Sequence, residues 1–281
     1  MKKSIRSVVD IAFNVIIYFI VFFVVNLLSM VLATVGFYLK RGEDVVEALQ
    51  KIGEKGIVLD STIILVGTLL SSLLTLWLFL RLRWTPFSRD YLRSRPWTAM
   101  VWVVVAAFGS LVPSIWFNEV LDLTMPDAME DMLKGLMQEP LGYLAVGILV
   151  PLTEEAVFRG AILRTLLKGM SGPWKWGAIV ISAAIFGLAH GNDAQFYHAF
   201  LIGVLIGWMY VRTGSIVPGV VYHVVNNSIA YILTALYPHS SDMKLIELAG
   251  GSQLKVTLWV VFSLCIFVPA IFQLTRLLKR K

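Results

Sequence analysis

Three ionisable side chains stand close together in a stretch that otherwise reads as membrane-spanning. Glu154, Glu155 and Arg159 fall within six residues, and residues 140–153 before them carry no charged side chain. A charged side chain in a lipid-spanning helix costs roughly 2.5–3.5 kcal/mol on insertion scales, and such residues usually face inward and serve a function. The two carboxylates and the guanidinium therefore predict a functional site inside a membrane protein.

On a regular helix these residues divide between two faces. Glu155 and Arg159 are four residues apart, so they share a face and can form an ion pair. Glu154 is rotated by about 100° from Glu155 and can point elsewhere. We expect Glu154 to be the functional carboxylate, with Glu155 and Arg159 as a mainly structural pair.

Two further pairs with the same spacing follow in later apolar segments. His190 comes four residues after Phe186, and Asn227 comes four residues after His223. The spacing predicts that His223 and Asn227 project together and that Phe186 packs beneath the His190 ring. The first three apolar segments contain no Asp, Glu, His, Lys or Arg, so we expect those segments to be scaffold.

A carboxylate with two imidazoles and an amide supports hydrolysis of a peptide bond in two ways. In one, Glu154 is the general base that activates water, and His and Asn side chains donate hydrogen bonds to the developing oxyanion. In the other, Glu154, His190 and His223 are the His₂Glu ligands of a catalytic zinc ion. The residues alone leave both versions open.

Composition places these residues in a membrane protein. The chain of 281 residues is 58% hydrophobic and 15% charged, with a mean hydropathy of +0.77, which is too apolar for a soluble globular domain. The net charge of +6 does not come from a basic run interleaved with aromatic residues, so we expect no nucleic acid partner. The single cysteine, Cys265, excludes a disulfide framework and a zinc site built from cysteines.

Apolar runs of the length needed to cross a bilayer, about 20 residues, predict an all-α, polytopic membrane protein with about eight transmembrane helices. The predicted spans are residues 11–39, 61–80, 96–118, 141–163, 174–191, 194–211, 214–236 and 256–275. With eight spans, sixteen Lys and Arg residues fall on one side and seven on the other. Because basic residues are enriched on the cytoplasmic side, we expect both termini to be cytoplasmic.

The spans group into three parts. Residues 1–139 hold the first three transmembrane helices and a short helix, on the membrane surface or over a cavity, predicted from the helical spacing of Met129, Met132, Leu133 and Leu136. Residues 140–236 form the polar helical core, and residues 237–281 an outer loop and the last transmembrane helix. Gly203 and Gly207 form a Gly-x-x-x-Gly pair, which we expect to pack the sixth span inside the core.

The three motifs together resemble one family. Glu154-Glu155-x-x-x-Arg159, then Phe186-x-x-x-His190, then His223-x-x-x-Asn227 occur in order on successive predicted helices. This arrangement is similar to the CPBP group of CAAX-processing and bacteriocin-processing proteins, which includes type 2 CAAX prenyl proteases and Abi-like proteins. The patterns His-Glu-x-x-His, Gly-x-Ser-x-Gly and Gly-x-Gly-Asp of other intramembrane proteases are absent from the sequence.

The resemblance implies an endopeptidase of the cell membrane with its site in a cavity within the bilayer. It carries over Glu154, His190, His223 and Asn227 as the catalytic set, with Glu155, Arg159 and Phe186 in support. The implied partners are membrane lipid and a membrane-anchored, hydrophobic or prenylated protein substrate. A Zn²⁺ cofactor is expected only in the metal-dependent version.

Two other functions use the same residues differently. A transporter could use Glu154, Arg159 and the histidines as a proton or ion relay, but it predicts matching broken helices in two halves, whereas these polar residues lie in one half. A non-catalytic immunity or regulatory membrane protein could retain the fold alone. His198 and Asn226, which match no catalytic position of the motifs, are expected to be structural.

Overall fold

A computed structural model describes residues 2–58, 60–236 and 244–278, with side chains from residue 8 onward. All regular elements in these ranges are helices, which confirms the predicted all-α class. The helices are α1 Lys2–Lys40, α2 Val45–Lys55, α3 Ser61–Arg81, α4 Arg89–Arg93, α5 Trp97–Val120, α6 Asp127–Gln138, α7 Tyr143–Gly169, α8 Lys175–Leu188, α9 Asp193–Thr213, α10 Val217–Leu236, α11 Leu245–Leu248 and α12 Gln253–Leu277. A short 3₁₀ turn, Gly172–Trp174, precedes α8.

Six of these helices are long and apolar enough to cross a membrane, namely α1, α3, α5, α9, α10 and α12. The fourth predicted span corresponds to α7, which meets α6 at a bend of 106°, and the fifth corresponds to the shorter apolar helix Gly172–Leu188. The chain is therefore a multi-pass membrane protein. The count of eight and the cytoplasmic termini stay predictions, and residues 237–243 of the predicted outer loop lie outside the described residues.

Helix α2 lies in a link for which the sequence analysis predicted no helix. Asp44 caps its first turn by accepting from the backbone N–H of Glu47, and the Glu47 side chain accepts from the backbone N–H of Asp44. This reciprocal capping box satisfies backbone donors that the helix itself cannot. The Asp44-x-x-Glu47 spacing is the sequence signal of this cap, although the helix lacks the long apolar run of a membrane span.

The predicted short helix of the acidic link is present as α6. Leu136 is buried and Met132 packs beside it, in a cluster with Ile64 of α3 and Ala145 of α7. Its apolar face therefore packs on the protein. Tyr231 of α10 donates to the backbone carbonyl of Met137 at 2.6 Å, which ties this helix to the polar core.

Two apolar cores hold the helices together. The first surrounds α7, where Val157 and Phe158 are fully buried against Phe79 of α3 and Ile179 of α8. The second joins α5, α9, α10 and α12, with members such as Val103, Ile206, Tyr222 and Ala270. Because α9 contributes to both cores, it connects the motif-bearing α7 with the outer pair α5 and α12.

The Gly-x-x-x-Gly pair lies at close helix contacts inside the protein. A Cβ on Gly203 would lie 3.0 Å from the Ala183 Cβ and 3.1 Å from Nη2 of Arg159, and one on Gly207 would lie 3.0 Å from Cγ2 of Ile179. Small residues let helix backbones approach each other where packing is the main source of association. The predicted inward packing of this pair is confirmed.

Gly109→Ala tests how closely α5 and α12 are packed. A Cβ at this position would lie 2.7 Å from the backbone nitrogen of Phe267, so the two helices must move apart. Overpacking of this kind costs about 1–3 kcal/mol, and thermal unfolding of the purified protein in detergent should show a lowered midpoint. Gly36→Ala is the matched control, since nothing lies within 4 Å of its added Cβ and alanine favours a helix by about 1 kcal/mol over glycine. Equal midpoints for the two variants would contradict the close approach.

Candidate active site

Helix α7, which carries the first motif, is irregular on both sides of Glu154. It is α-helical over Val150–Glu154 and π-helical over Tyr143–Leu149 and Glu155–Leu163. π-helical turns are rare and often occur at functional sites. Glu155–Leu163 is buried along its whole length, so side chains of this segment contact neighbouring helices on every side.

Hydroxyl groups from two other parts of the chain bind the backbone of this π-helical segment. Ser182 of α8 donates to the carbonyl of Phe158 at 3.0 Å, and Thr85, which follows α3, donates to the carbonyl of Ala156 at 2.5 Å. An unsatisfied backbone group at membrane depth costs several kcal/mol. These two contacts therefore stabilise the unusual helix geometry beside Glu154.

Glu155 and Arg159 form a deeply buried ion pair. Nη1 of Arg159 donates to Oε1 of Glu155 at 2.8 Å, with 1% and 0% of the side chains exposed. The guanidinium carbon lies 4.3 Å from the centre of the Phe186 ring, a separation at which the ring face attracts a cation. The predicted pairing on one helix face is confirmed, and Phe186 contacts both the arginine and the histidine of its own motif.

His223 connects the two carboxylates of the first motif. Its Nδ1 lies 3.1 Å from Oε1 of Glu155, and its Nε2 lies 3.6 Å from Oε2 of Glu154. Because an ionised carboxylate can only accept, the Nδ1 hydrogen of His223 donates to Glu155. This hydrogen bond fixes the tautomer and the ring orientation, and it turns Nε2 toward Glu154.

Close packing of α10 on α7 makes this contact feasible. A Cβ on Gly219 would lie 2.8 Å from Oε2 of Glu155, so the absence of a side chain there lets the carboxylate lie against the α10 backbone. His223 stands one turn further along the same helix, and 6% of it is exposed. Sequence reasoning missed the contact between Glu155 and His223, because the motifs give spacing within each helix but not the distance between helices.

The two carboxylates have different surroundings. Glu154 is 14% exposed and borders a cleft, whereas Glu155 is fully buried between a cation and an imidazole. The distance of 3.6 Å between Oε2 of Glu154 and Nε2 of His223 is slightly longer than a direct hydrogen bond. Glu154 is therefore the more accessible of the two carboxylates.

His190 and His223 both contact Phe186. The centre of the Phe186 ring lies 5.0 Å from the His190 ring and 5.8 Å from the His223 ring, edge to face in both cases. The Nδ1 of His190 donates to the carbonyl of Phe186 at 3.0 Å, which leaves its Nε2 directed elsewhere. The predicted packing of Phe186 beneath His190 is confirmed, and the second and third motifs meet at this ring.

The two asparagines of α10 bond to different neighbours. Asn227 donates to the carbonyl of Val146 on α7 at 3.1 Å, so one of its two N–H groups is already used. Asn226 lies 3.5 Å from Nε2 of His198, whose Nδ1 is 2.5 Å from the Ser114 hydroxyl. The structural contacts expected for Asn226 and His198 are present, and they tie α10 to α9 and α5.

The zinc ligands expected from the sequence are Glu154, His190 and His223. The donor types suit zinc, and each histidine donates its Nδ1 hydrogen to an oxygen, as ligating histidines usually do. Within residues 2–58, 60–236 and 244–278, however, no three His, Cys, Asp or Glu side chains are grouped so that they could hold one metal ion. The spacing therefore does not fit a metal ligated by Glu154, His190 and His223 together, and zinc stays a prediction.

Comparisons with known proteins agree with the motifs. Residues 137–229 match the family of Rce1-like type II CAAX prenyl endopeptidases. The chain is 26% identical over 149 residues to the membrane-embedded CAAX protease MroQ of Staphylococcus aureus, an alignment that covers 52% of this chain and 60% of the relative. No solved structure matches. The family resemblance predicted from the three motifs is confirmed, and the matched segment contains all of them.

A double-mutant cycle measures the buried ion pair. Glu155→Gln and Arg159→Met each strand an uncompensated charge, which typically costs 3–5 kcal/mol, so each variant should unfold at lower denaturant concentration than the wild type. The double variant should lose less than the sum of the two, because it strands no charge.

Glu130→Gln is the matched control for that cycle. Glu130 and Lys134 also stand four residues apart at 2.8 Å, but their side chains are 31% and 29% exposed. Partly exposed pairs contribute about 0–1 kcal/mol. A loss for Glu155→Gln no larger than for Glu130→Gln would contradict the assignment of Glu155 and Arg159 as a structural pair.

Proposed function

We propose that this chain, whose residues 137–229 match the family of Rce1-like type II CAAX prenyl endopeptidases, is an intramembrane endopeptidase. Its substrate is a membrane-anchored or hydrophobic peptide segment. The aligned part covers 60% of the curated relative's length, so activity and substrate are proposals for this chain. The observation that carries the proposal is the row Glu154–His223–Glu155, in which one imidazole stands between an accessible carboxylate and a buried one.

Glu154 is the general base in this mechanism. It accepts a proton from a water molecule while the water oxygen attacks the carbonyl carbon of the scissile amide. The proton then passes from Glu154 to the leaving nitrogen as the carbon–nitrogen bond breaks, which yields a carboxyl group and an amine. Glu154 lines the cleft, so a water molecule held there can reach its carboxylate.

His223 positions and assists Glu154. Its Nδ1 hydrogen bond to Glu155 holds the ring in place, and Arg159 balances the charge of Glu155. The Nε2 atom facing Glu154 can share the proton that leaves the water. The arrangement resembles other catalytic sites in which a buried carboxylate orients an imidazole toward the reacting group.

Asn227 and His190 are the candidates for binding the oxyanion. Asn227 retains a second N–H group beside the one that bonds to Val146. His190 uses Nδ1 for the Phe186 carbonyl, so its Nε2 donates only when the ring is protonated. Each donor placed where charge develops can contribute about 10²–10³ in rate.

The substrate class follows from where the site lies and from the comparisons. An acid, two imidazoles and an amide inside a helical membrane protein can act only on a bond that reaches the bilayer. The matched family is that of type II CAAX prenyl endopeptidases, and the relative from Staphylococcus aureus is likewise named a CAAX protease. We therefore favour a substrate with a lipid-modified or hydrophobic C-terminal segment, held in the cell membrane.

Proteolysis by the purified protein tests the proposal. The substrates are a farnesylated peptide that ends in Cys-aliphatic-aliphatic-X and the same peptide without the lipid, with products identified by mass spectrometry. Glu154→Gln keeps the size of the side chain but removes the base, so kcat/KM should fall by about 10²–10⁴. His223→Ala should also slow cleavage strongly. Metal content measured on the same samples tests the zinc version.

The control is Glu54→Gln, which changes an exposed glutamate of α2 and should leave cleavage unchanged. Peptide cleavage that persists at the wild-type rate in both Glu154→Gln and His223→Ala would end the assignment. Cleavage of neither peptide, together with proton flux in proteoliposomes that Glu154→Gln abolishes, would instead support the relay function.

A further inference from the structure

A cleft reaches Glu154 from the side of the N-terminal helices. It lies between α1, α3 and α7, and Phe22 and Val150 complete its wall. Its other lining residues are polar: Asn26, Thr68, Ser71, Ser72, Thr153 and Glu154. Glu154 is the one ionisable side chain in this lining.

The polar wall comes largely from helices outside the family match. Asn26 belongs to α1 and Thr68, Ser71 and Ser72 belong to α3, whereas the matched segment begins at residue 137. The sequence showed no charged residue in these spans and indicated scaffold. Hydroxyl and amide groups cost less in a membrane helix than charged groups do, so their presence in a sequence does not by itself predict a functional site.

Several groups in this wall keep unused hydrogen-bonding capacity. Ser71 donates to the carbonyl of Thr68, Thr153 to those of Leu149 and Ser72, and Asn26 through Nδ2 to the carbonyl of Phe22. The hydroxyls of Thr68 and Ser72 form no hydrogen bond within the described part of the chain.

These groups face a carboxylate acceptor across the cleft. Donors and an acceptor around one hollow meet the two to four polar partners that an ordered water needs.

The size of the cleft suits water. Its volume is about 80 Å³, against roughly 10–15 Å³ for one water molecule on the same measure. Apolar cavities of comparable size stay empty, whereas polar ones hold water. Hydroxyl groups from α3 and α7, the Asn26 amide of α1 and the Glu154 carboxylate of α7 line this cleft, so it belongs to the polar kind.

We propose that α1 and α3 form a water site next to Glu154, and that this site supplies the water for hydrolysis. The presence of water stands on the cleft geometry alone, while its use as a reactant rests on the proposed function. The N-terminal helices are then part of the working site: Thr68 and Ser72 hold water within reach of the base. Hydrolysis inside a bilayer requires such a supply, because lipid excludes water from the surrounding helices.

Cysteine accessibility tests for water directly and without reference to activity. The chain has one cysteine, Cys265, which is exposed, so Cys265→Ser gives a cysteine-free background. Thr68→Cys and Ser72→Cys are then made singly in that background. A charged methanethiosulfonate reagent is applied to the protein in permeabilised membranes. This reagent needs water, and it reacts with the thiolate form that water supports.

Leu73→Cys is the matched control on the same helix. Leu73 follows Ser72 directly, is 56% exposed on the protein surface and does not line the cleft. We expect Thr68→Cys and Ser72→Cys to react at least about tenfold faster than Leu73→Cys. Asp60→Cys, at an exposed position directly before α3, gives the reference rate for a thiol in water. Rates for Thr68→Cys and Ser72→Cys equal to that of Leu73→Cys would overturn the water site.

The role in hydrolysis has its own pair of variants. Thr68→Val keeps the side-chain shape but removes a cleft hydroxyl, and kcat should fall about three- to tenfold with KM little changed. Thr75→Val is the control, because Thr75 lies on α3 with a buried hydroxyl that has no partner among the described residues and does not line the cleft. If Thr68→Val had the same kcat as the wild type while Thr68→Cys was labelled fast, the cleft would hold water, but the proposed supply of that water to hydrolysis would be refuted. Absence of any proteolysis would refute the proposed function while the labelling result stands.

Discussion

A guanidinium and a carboxylate that are shut away from water constrain this structure more than any other contact. Arg159 and Glu155 are almost fully buried on the same helix, α7, and neither charge could stay there without the other. Their burial requires that the Phe186 ring covers the guanidinium. It also requires that α9 approaches Arg159 closely at Gly203 and that α10 approaches Glu155 closely at Gly219. The helices that bear the second and third motifs are thereby drawn against α7.

The ion pair also gives two adjacent glutamates different environments. Glu155 accepts hydrogen bonds from Arg159 and His223, which hold its side chain in one position. Glu154, on the other side of the imidazole, faces the cleft. Two carboxylates in unlike surroundings often take unlike roles in an active site. Here the surroundings favour an orienting role for the buried group and a chemical role for the accessible one.

The sequence was most informative where charge and spacing coincide. Glu155 and Arg159 pair as their spacing predicts, and Phe186 packs on His190, because both contacts lie within one helix. Contacts between helices could not be read in this way. The hydrogen bond from His223 to Glu155 and the bend between α6 and α7 depend on how separate elements pack. The π-helical turns beside Glu154 have no sequence signature, and the polar wall from α1 and α3 consists of residues that are common in membrane helices.

In the proposed mechanism, Glu155 acts on the reaction through its hydrogen bond with His223. The most direct measurement compares the effect of Glu155→Gln on kcat/KM in the wild-type background and in the His223→Ala background, with rates referred to the folded fraction of each sample. If Glu155 serves to orient the imidazole, Glu155→Gln should slow the wild type and should have little further effect once His223 is gone. An equal fold-loss in both backgrounds would contradict the account, because it would mean that the two residues contribute independently.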